Sequence, residues 1–294
     1  MKLVRTDAKL IQQQGGLEGL YKHIELCGRT CYKSTDKITD NSAKPFVDRM
    51  INSHHTAMIE HGTVYLTIPV NEWRDCEHEF LYMFPESLSW VSVDCDGKNF
   101  YITTNLRHII EGNVGMELVE KYYSDPTENH EKRYTFKMTT SIGVTRELNR
   151  HRVNSIAEQS TRYCNYAKDK FGKEITVCKP YWLDDGREFK TSEAYNNAYE
   201  LFYSACEEAE GYYMILIDEG FSPQQAREVL PLCTASEIVH TAFASDWRFF
   251  FDLRLFGKTG NPHPNMLLLA QKMKEEAEKN GIWEDIMKYP SKFE

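Results

Sequence analysis

The sequence of 294 residues lacks several features that would assign it at once to a common class of protein. No apolar run approaches the ~20 consecutive residues that a transmembrane helix needs. None of the eight cysteines forms a CxxC pair, and no internal repeat, low-complexity tract or Pro/Gly-rich linker divides the chain. These absences argue against a membrane-spanning protein, a zinc ribbon and a repeat protein. They favour a single domain over residues 1–294 without a metal site.

Basic residues are fewer than acidic ones: the sequence has 35 Lys and Arg against 44 Asp and Glu, which gives a formal net charge of −9. This balance argues against a nucleic-acid partner, and the lack of an apolar span argues against a membrane partner. Residues 145–175 are an exception, with seven basic against four acidic residues, which favours a localised anionic ligand. The first 14 residues contain no apolar signal-peptide core, so we expect a cytoplasmic protein with reduced thiols.

Hydrophobic residues make up 41% of the chain, enough for a sizeable core. Helical spacing of apolar residues is clearest at residues 16–28, 42–54, 192–218 and 266–280. Alternating hydrophobicity predicts strands at residues 63–70, 100–104 and 134–139. The predicted strands lie in the first half of the chain, and helices dominate elsewhere. We therefore predict a layered α+β fold.

Local signals refine this prediction. Ser141 is placed to cap a helix that continues to about residue 152, and the polar stretch 153–165 is predicted to be a loop. Residues 234–237 have capping-box spacing and predict a helix that ends near residue 256. In the helix predicted over 192–218, Leu201 and Tyr212 fall on the apolar face that should be buried.

The densest functional signal lies within the basic stretch, in the segment RELNRHRVNSIAEQSTRY. Steps of three and four place Glu147, Arg150 and His151 on one face of a helix. The loop predicted to follow carries hydroxyl groups together with Glu158 and Arg162. Guanidinium groups combined with hydroxyls and loop N–H groups suit a phosphate monoester, and carboxylates accept hydrogen bonds from ribose hydroxyls or a base N–H. The pattern therefore predicts a nucleotide site.

The part RHRVNSIAEQSTRY resembles the RHR-x-x-S-x-N-E-x-S-x-R-Y signature of the flavin-dependent thymidylate synthase (ThyX) family, with Ala157 where the family usually has Asn. Other segments resemble family blocks in the same order: GRTCYKS from Gly28, SHHTAMIEH from Ser53, AREVLP from Ala226 and FFDLR from Phe250. The family resemblance does not extend to about residues 70–132. We interpret this segment, whose hydrophobic pattern is irregular, as an insertion.

This family converts dUMP to dTMP with carbon from methylenetetrahydrofolate and hydride from NADPH passed through FAD, and it forms homotetramers with shared active sites. The resemblance implies the same substrates, cofactor and assembly here, and an α+β fold with helices packed on a small, mostly antiparallel sheet. The implied dUMP-binding residues are Glu147, Arg150, Glu158, Gln159, Ser160, Thr161, Arg162, Arg227 and Arg254. The implied FAD-binding residues are His55, Ala57, Arg150, His151, Arg152, Glu158 and Phe249. Arg254 is the predicted catalytic residue, because a fixed guanidinium would stabilise negative charge on the uracil ring.

Two other functions remain open at this point. The first is a cysteine-dependent pyrimidine methylase, in which Cys164 is the nucleophile and Arg162 favours its thiolate. The second is a single-stranded nucleic-acid-binding protein that uses the basic stretch 145–175. A zinc deaminase is disfavoured, because the sequence has no P-C-x-x-C motif.

Overall fold

The structure is a computed structural model that describes residues 1–75, 80, 82–84, 90–112, 114–183 and 189–293. The described strands are β1 (Lys2–Val4), β2 (Asp7–Ile11), β3 (Thr63–Pro69), β4 (Ser92–Cys95), β5 (Asn99–Asn105), β6 (Arg133–Ser141), β7 (Ser155–Glu158), β8 (Thr176–Cys178) and β9 (Ala235–Phe243). The described α-helices are α1 (Gly16–Cys31), α2 (Ala43–Asn52), α3 (Val70–Asp75), α4 (Leu106–Glu111), α5 (Met116–Tyr122), α6 (Ile142–Leu148), α7 (Ser192–Asp218), α8 (Pro223–Ala226), α9 (Ala244–Arg254), α10 (Pro264–Lys279) and α11 (Trp283–Met287). Short 3-10 segments include Thr56–His61 and Arg227–Val229.

The largest sheet contains four antiparallel strands in the order β2–β6–β9–β7. A second sheet contains β3, β5 and β4, also antiparallel, while β1 and β8 form a parallel pair. Helices α9, α10 and α11 pack on the four-stranded sheet, where Phe136 of β6 meets Trp247 and Phe251 of α9 in a shared core. The predicted α+β fold with a mostly antiparallel sheet is confirmed. Within the described residues, no helix is long and apolar enough to cross a membrane.

The predicted insertion is more regular than its sequence pattern suggests. It contains β4, β5 and the helices α3 to α5, and its sheet also includes β3, which starts at Thr63 and thus before the predicted boundary. Leu66, Ile102 and Phe84 are buried in a second core that α1 and α2 share. Part of the predicted insertion, namely residues 76–79, 81, 85–89 and 113, lies outside the described residues.

The predicted helix over residues 234–256 is wrong in its first half. Residues 235–243 form β9, the strand between β6 and β7, and only Ala244–Arg254 is helical. The run Ile238, Val239, His240 and Thr241 is fully buried, as expected for a central strand, and pairing on both sides outweighs the local capping-box signal. Strands are consequently not confined to the first half of the chain.

The long helix α7 has the predicted extent but a different buried face. Leu201 and Tyr212 are 73% and 58% exposed, whereas Cys206 and Tyr213 are buried. The predicted apolar face was therefore wrong by about one residue position. Tyr213 packs edge-on against Tyr166, with ring centroids 5.5 Å apart, and joins the helix to a third core.

Candidate active site

The signature segment folds as a helix end, a tight turn and a short strand. Ser141 caps α6 as predicted, since its Oγ accepts a backbone N–H bond of 3.4 Å. The helix ends at Leu148 and not near residue 152, because the N–H groups of Arg150 and His151 bond to carbonyls three residues earlier, at 3.3 and 2.9 Å. The loop predicted over 153–165 is corrected in its first part, which forms β7. Arg150 and His151 thus lie in a turn and not on a helical face.

Arg254, the predicted catalytic residue, ends α9 beside the end of α6. Its Nη1 lies 3.2 Å from Oε2 of Glu147, and its Nε donates to Nε2 of His151 over 3.3 Å. Burial, and then the charge of Arg254, lower the pKa of His151 to about 4. His151 is therefore neutral at pH 7 and can accept this bond. The side chain of Arg254 keeps 20% of its surface exposed, so a ligand can reach a guanidinium that two protein groups already hold.

Glu158 lies at the end of β7, and both of its carboxylate oxygens accept hydrogen bonds from other side chains. Its Oε1 accepts from Ser236 Oγ and its Oε2 from Asn149 Nδ2, each at 3.1 Å. Cys31 Sγ donates to the backbone oxygen of Glu158 over 2.7 Å, which joins α1 to the signature. Neither Asn149 nor Ser236 was predicted from the sequence to be a site residue. Asn149 lies inside the signature segment and could have been recognised as a carboxylate partner, whereas Ser236 was hidden in the mispredicted helix.

The residues that follow β7 differ in accessibility. Gln159 is 7% exposed, and its side chain bonds inward, accepting from the N–H of Glu237 and donating to the hydroxyl of Tyr166, both at 3.4 Å. In contrast, Thr161 Oγ1 accepts from Arg227 Nη1 over 3.2 Å. The structure therefore brings Thr161 and Arg227 together and directs the side chain of Gln159 into the protein.

Three signature arginines are free cations. Arg150, Arg152 and Arg162 are exposed, and none forms an ion pair with any residue in the described part of the chain. The guanidinium carbon of Arg162 lies 5.2 Å from the ring centroid of Tyr163. Nearby, Ser160 is partly exposed. Uncompensated guanidinium groups beside hydroxyls are the groups that bind phosphate oxygens.

His55 and Ala57, two of the predicted FAD-binding residues, are both exposed. Ala57 lies in the 3-10 segment Thr56–His61, which His55 precedes. This segment packs beside β7, where Ser155 Oγ donates to a backbone oxygen of the segment over 3.3 Å. The two residues therefore lie on an element adjoining the signature strand.

Phe249, another predicted FAD-binding residue, lies on α9. Its ring stacks on Phe293 with centroids 5.8 Å apart, and Lys292 Nζ lies 4.7 Å from its centroid. An edge contact of 6.4 Å links it to the ring of His151. The end of the described chain thus covers part of Phe249, which leaves less of the ring for a ligand than the sequence suggested.

The predicted site residues form two separate contact groups within one chain. The first contains Glu147, His151 and Arg254, and the second contains Thr161 and Arg227. Among the described residues, no hydrogen bond or ion pair links one group directly to the other. A nucleotide that needs both groups would have to bridge them or take one from another subunit.

More than half of the chain matches a known protein family. The family model described as thymidylate synthase complementing protein matches residues 116–280, over half of the chain. The chain belongs to this family. The match includes the whole signature together with Arg227 and Arg254, and it begins inside the segment 70–132. The resemblance inferred from the signature is confirmed.

Individual curated relatives have low sequence identity to this chain. A flavin-dependent thymidylate synthase of Thermosipho melanesiensis is 30% identical over 144 residues, which are 48% of this chain and 62% of that protein. One of Geobacter sulfurreducens is 29% identical over 114 residues, 39% of this chain and 44% of that protein. The chain thus spans less than two thirds of the curated relatives it matches. The UMP/dUMP methylase PolB from Streptomyces cacaoi, solved with 5-Br dUMP, has 17% identity, a TM-score of 0.48 and 98% coverage of both chains.

The cysteine-dependent alternative finds no support at Cys164 in this family member. Its side chain is 1% exposed, and burial raises the pKa of its thiol. Burial also raises the pKa of Cys31 to about 11. A nucleophilic thiol needs access and a lowered pKa. Within the described residues, no group of three or more His, Cys, Asp or Glu side chains could hold a metal ion.

Proposed function

We propose that this chain is a flavin-dependent thymidylate synthase. It would methylate dUMP to dTMP with carbon from methylenetetrahydrofolate and reducing equivalents from NADPH, with FAD as cofactor. The observation that carries the proposal is the contact of Arg254 with Glu147 and neutral His151, beside the free arginines of the family signature. The names of the curated relatives support this choice of reaction.

Arg254 acts on the uracil ring in this proposal. The C5 carbon of uracil becomes nucleophilic as negative charge develops over N3, C4 and O4. Glu147 fixes the guanidinium through Nη1, and His151 accepts from Nε without adding a competing positive charge. Nη2 has only a long contact of 3.5 Å with the Glu147 backbone oxygen, so it is available to a ligand oxygen. A preorganised donor of this kind stabilises a developing anion.

The phosphate and ribose are held by the other predicted residues. Arg162 is exposed and unpaired, and Arg227 is oriented by Thr161, so both can donate to phosphate oxygens. Glu158, already fixed by Asn149, provides acceptors for ribose hydroxyls or a base N–H. These contacts position the nucleotide and do not themselves perform the chemistry.

The residues near the signature turn fit FAD. Arg150 and Arg152 are free guanidinium groups on either side of neutral His151, a donor set suited to the diphosphate of a dinucleotide. His55, Ala57 and the edge of Phe249 would complete this contact. When bound, the isoalloxazine supplies the hydride-transfer capacity that no side chain has.

The proposed assembly is a homotetramer with active sites shared between subunits. This is the assembly that the family resemblance implies; within the described residues of one chain the Arg254 group and the Arg227 group make no direct contact, so a second subunit could supply either group. The cytoplasmic location and the single-domain organisation expected from the sequence remain predictions.

The proposal is tested by an absorbance spectrum of the purified protein and by a turnover assay. We expect flavin bands, dUMP-dependent oxidation of NADPH and formation of dTMP when methylenetetrahydrofolate is present. A protein that stays colourless and inactive after FAD is added would contradict the proposal. In that case, binding of single-stranded nucleic acid by the basic stretch 145–175 would become the better explanation.

A further inference from the structure

Two cysteines from distant parts of the chain lie side by side at the third core. Cys206 is on α7, and Cys233 lies in the segment that leads into β9. Their sulfurs are 3.5 Å apart, although the residues are 27 positions apart in the sequence, and both thiols are free. Disulfide sulfurs are about 2.05 Å apart, so an approach of about 1.5 Å would join them. Neither residue was predicted for the nucleotide or flavin site, so the proposed function leaves this pair unexplained.

The two thiols differ in accessibility. Cys206 is 2% exposed and packs in the core with Tyr213 and Ala226. Cys233 is partly exposed, and Leu232 beside it has 59% of its surface in solvent. A small reagent can therefore reach Cys233, whereas Cys206 reacts only with a group already held there. An accessible thiol beside a buried resolving thiol is the arrangement of a reversibly oxidised pair.

Backbone hydrogen bonds hold Cys233 in place. Its carbonyl oxygen accepts from the N–H of Cys178 on β8 over 2.8 Å. The carbonyls on either side of it accept from the first two N–H groups of α6, at 3.0 and 2.9 Å. The folded backbone thus keeps this sulfur opposite that of Cys206.

The neighbouring thiol also changes the acidity of the pair. A hydrogen bond from Cys233 lowers the pKa of Cys206, against the opposite effect of burial, and the same contact raises the pKa of Cys233. Burial raises the pKa of the nearby Cys178 to about 12. The pair therefore loses its first proton more readily than a single buried thiol, and the thiolate is the form that attacks disulfides.

We propose that Cys206 and Cys233 are a reversible oxidation site, which forms a disulfide by exchange with a low-molecular-weight disulfide. Transfer of the shared proton to Cys206 leaves the thiolate on Cys233, which attacks one sulfur of the reagent, breaks its S–S bond and releases one thiolate. Cys206 passes its proton to that thiolate, attacks the sulfur of Cys233 and releases the second thiol. The two cysteines lose two electrons and two protons, and the reagent is reduced to two thiols. The new bond closes residues 206–233 into a loop that contains Arg227 and ties its segment to α7.

The test exposes the folded full-length protein to oxidised glutathione, blocks the remaining thiols with N-ethylmaleimide and maps the peptides by mass spectrometry without reduction. We expect a linked pair of peptides, containing Cys206 and Cys233, that is lighter by two hydrogens than the separate peptides and is released by dithiothreitol. In Cys206→Ser, Cys233 should keep a glutathione adduct, because the resolving thiol is gone. Cys95→Ser is the matched control, since Cys95 is an exposed thiol on β4, and the linked pair should form in this variant as in the wild type.

Two results on the wild-type protein would overturn the proposal, so the decision does not depend on whether a variant folds. In the first, Cys95 takes up glutathione while Cys206 and Cys233 stay unlinked. In the second, the link forms only in urea, which would assign it to the unfolded chain.

The linked protein should also unfold at a higher urea concentration than the reduced protein, because the bond restricts the unfolded chain between residues 27 positions apart. An unchanged or lower midpoint would contradict a bond that the native fold accommodates. These measurements need neither flavin nor dUMP, so their failure is distinguishable from failure of the proposed function.

Discussion

Replacing Arg254 by Ala is the substitution whose effect follows most directly from the geometry. The change removes a guanidinium that Glu147 and His151 hold at 3.2 and 3.3 Å, and with it the proposed donor to the uracil ring. Loss of one preorganised donor to a developing anion lowers kcat by about 10²- to 10³-fold. The ion pair is 20% and 30% exposed at its two ends, so its loss should cost only ~0.2–1 kcal/mol of unfolding free energy. Activity should therefore fall far more than stability.

The assay for Arg254→Ala is the rate of dTMP formation at saturating dUMP, with flavin content and urea unfolding measured on the same sample. Lys272→Ala is the matched control, since it removes an ion pair of 2.7 Å with Glu275 on the exposed face of α10 and should leave kcat unchanged. Arg254→Lys keeps the charge but loses the planar donor and should recover only part of the rate. A kcat for Arg254→Ala within about threefold of the wild type would refute the assigned role, since this is less than 1 kcal/mol of barrier.

Three further predictions concern dUMP binding, the subunit assembly and the pH dependence of stability. Arg162→Ala should raise the dissociation constant for dUMP by about 10- to 150-fold, through loss of a charge-assisted phosphate contact; an unchanged constant in calorimetry would show that the phosphate binds elsewhere. At a dUMP concentration too low to saturate Arg162→Ala, an equimolar mixture of Arg254→Ala and Arg162→Ala chains refolded together should regain activity above the sum of the two variants if sites are shared, and a mixture no more active than that sum would contradict sharing. The folded-state pKa of His151 is about 4, below its ordinary value of 6.5, so its contribution to stability is complete above pH 6.5 and is lost as the pH falls toward 4. Urea unfolding should show a smaller loss over this interval in His151→Asn, and an identical loss would indicate that other groups titrate.

The sequence was most informative where local chemistry determines structure. Ser141 was recognised as a helix cap, and the alternating pattern around Phe136 correctly predicted a strand of the main sheet. Arg254 and Glu147, far apart in the sequence, were both assigned to one nucleotide site through the family resemblance, and the structure brings them into contact. Their chemical roles remain predictions.

Long-range pairing explains the errors. Residues 234–237 satisfy the local rule for a helix start, but β9 gains hydrogen bonds from β6 and β7 that a single-sequence pattern cannot reveal. For the same reason Ser236 was missed as a partner of Glu158. The side chain of Gln159 faces inward because it bonds to Tyr166 and to β9. The ring of Phe249 is partly covered because Phe293, near the end of the described chain, stacks on it. None of these contacts follows from local spacing.

The central claim is that guanidinium groups of the signature, together with Arg227 and Arg254, bind a uridylate and polarise its ring. A crystal structure of the FAD-loaded protein soaked with dUMP tests it most directly. We expect the uracil edge within hydrogen-bonding distance of Arg254 and the phosphate on Arg162 and Arg227, with either Arg254 or Arg227 coming from another subunit. A nucleotide bound in full occupancy away from these side chains would contradict it.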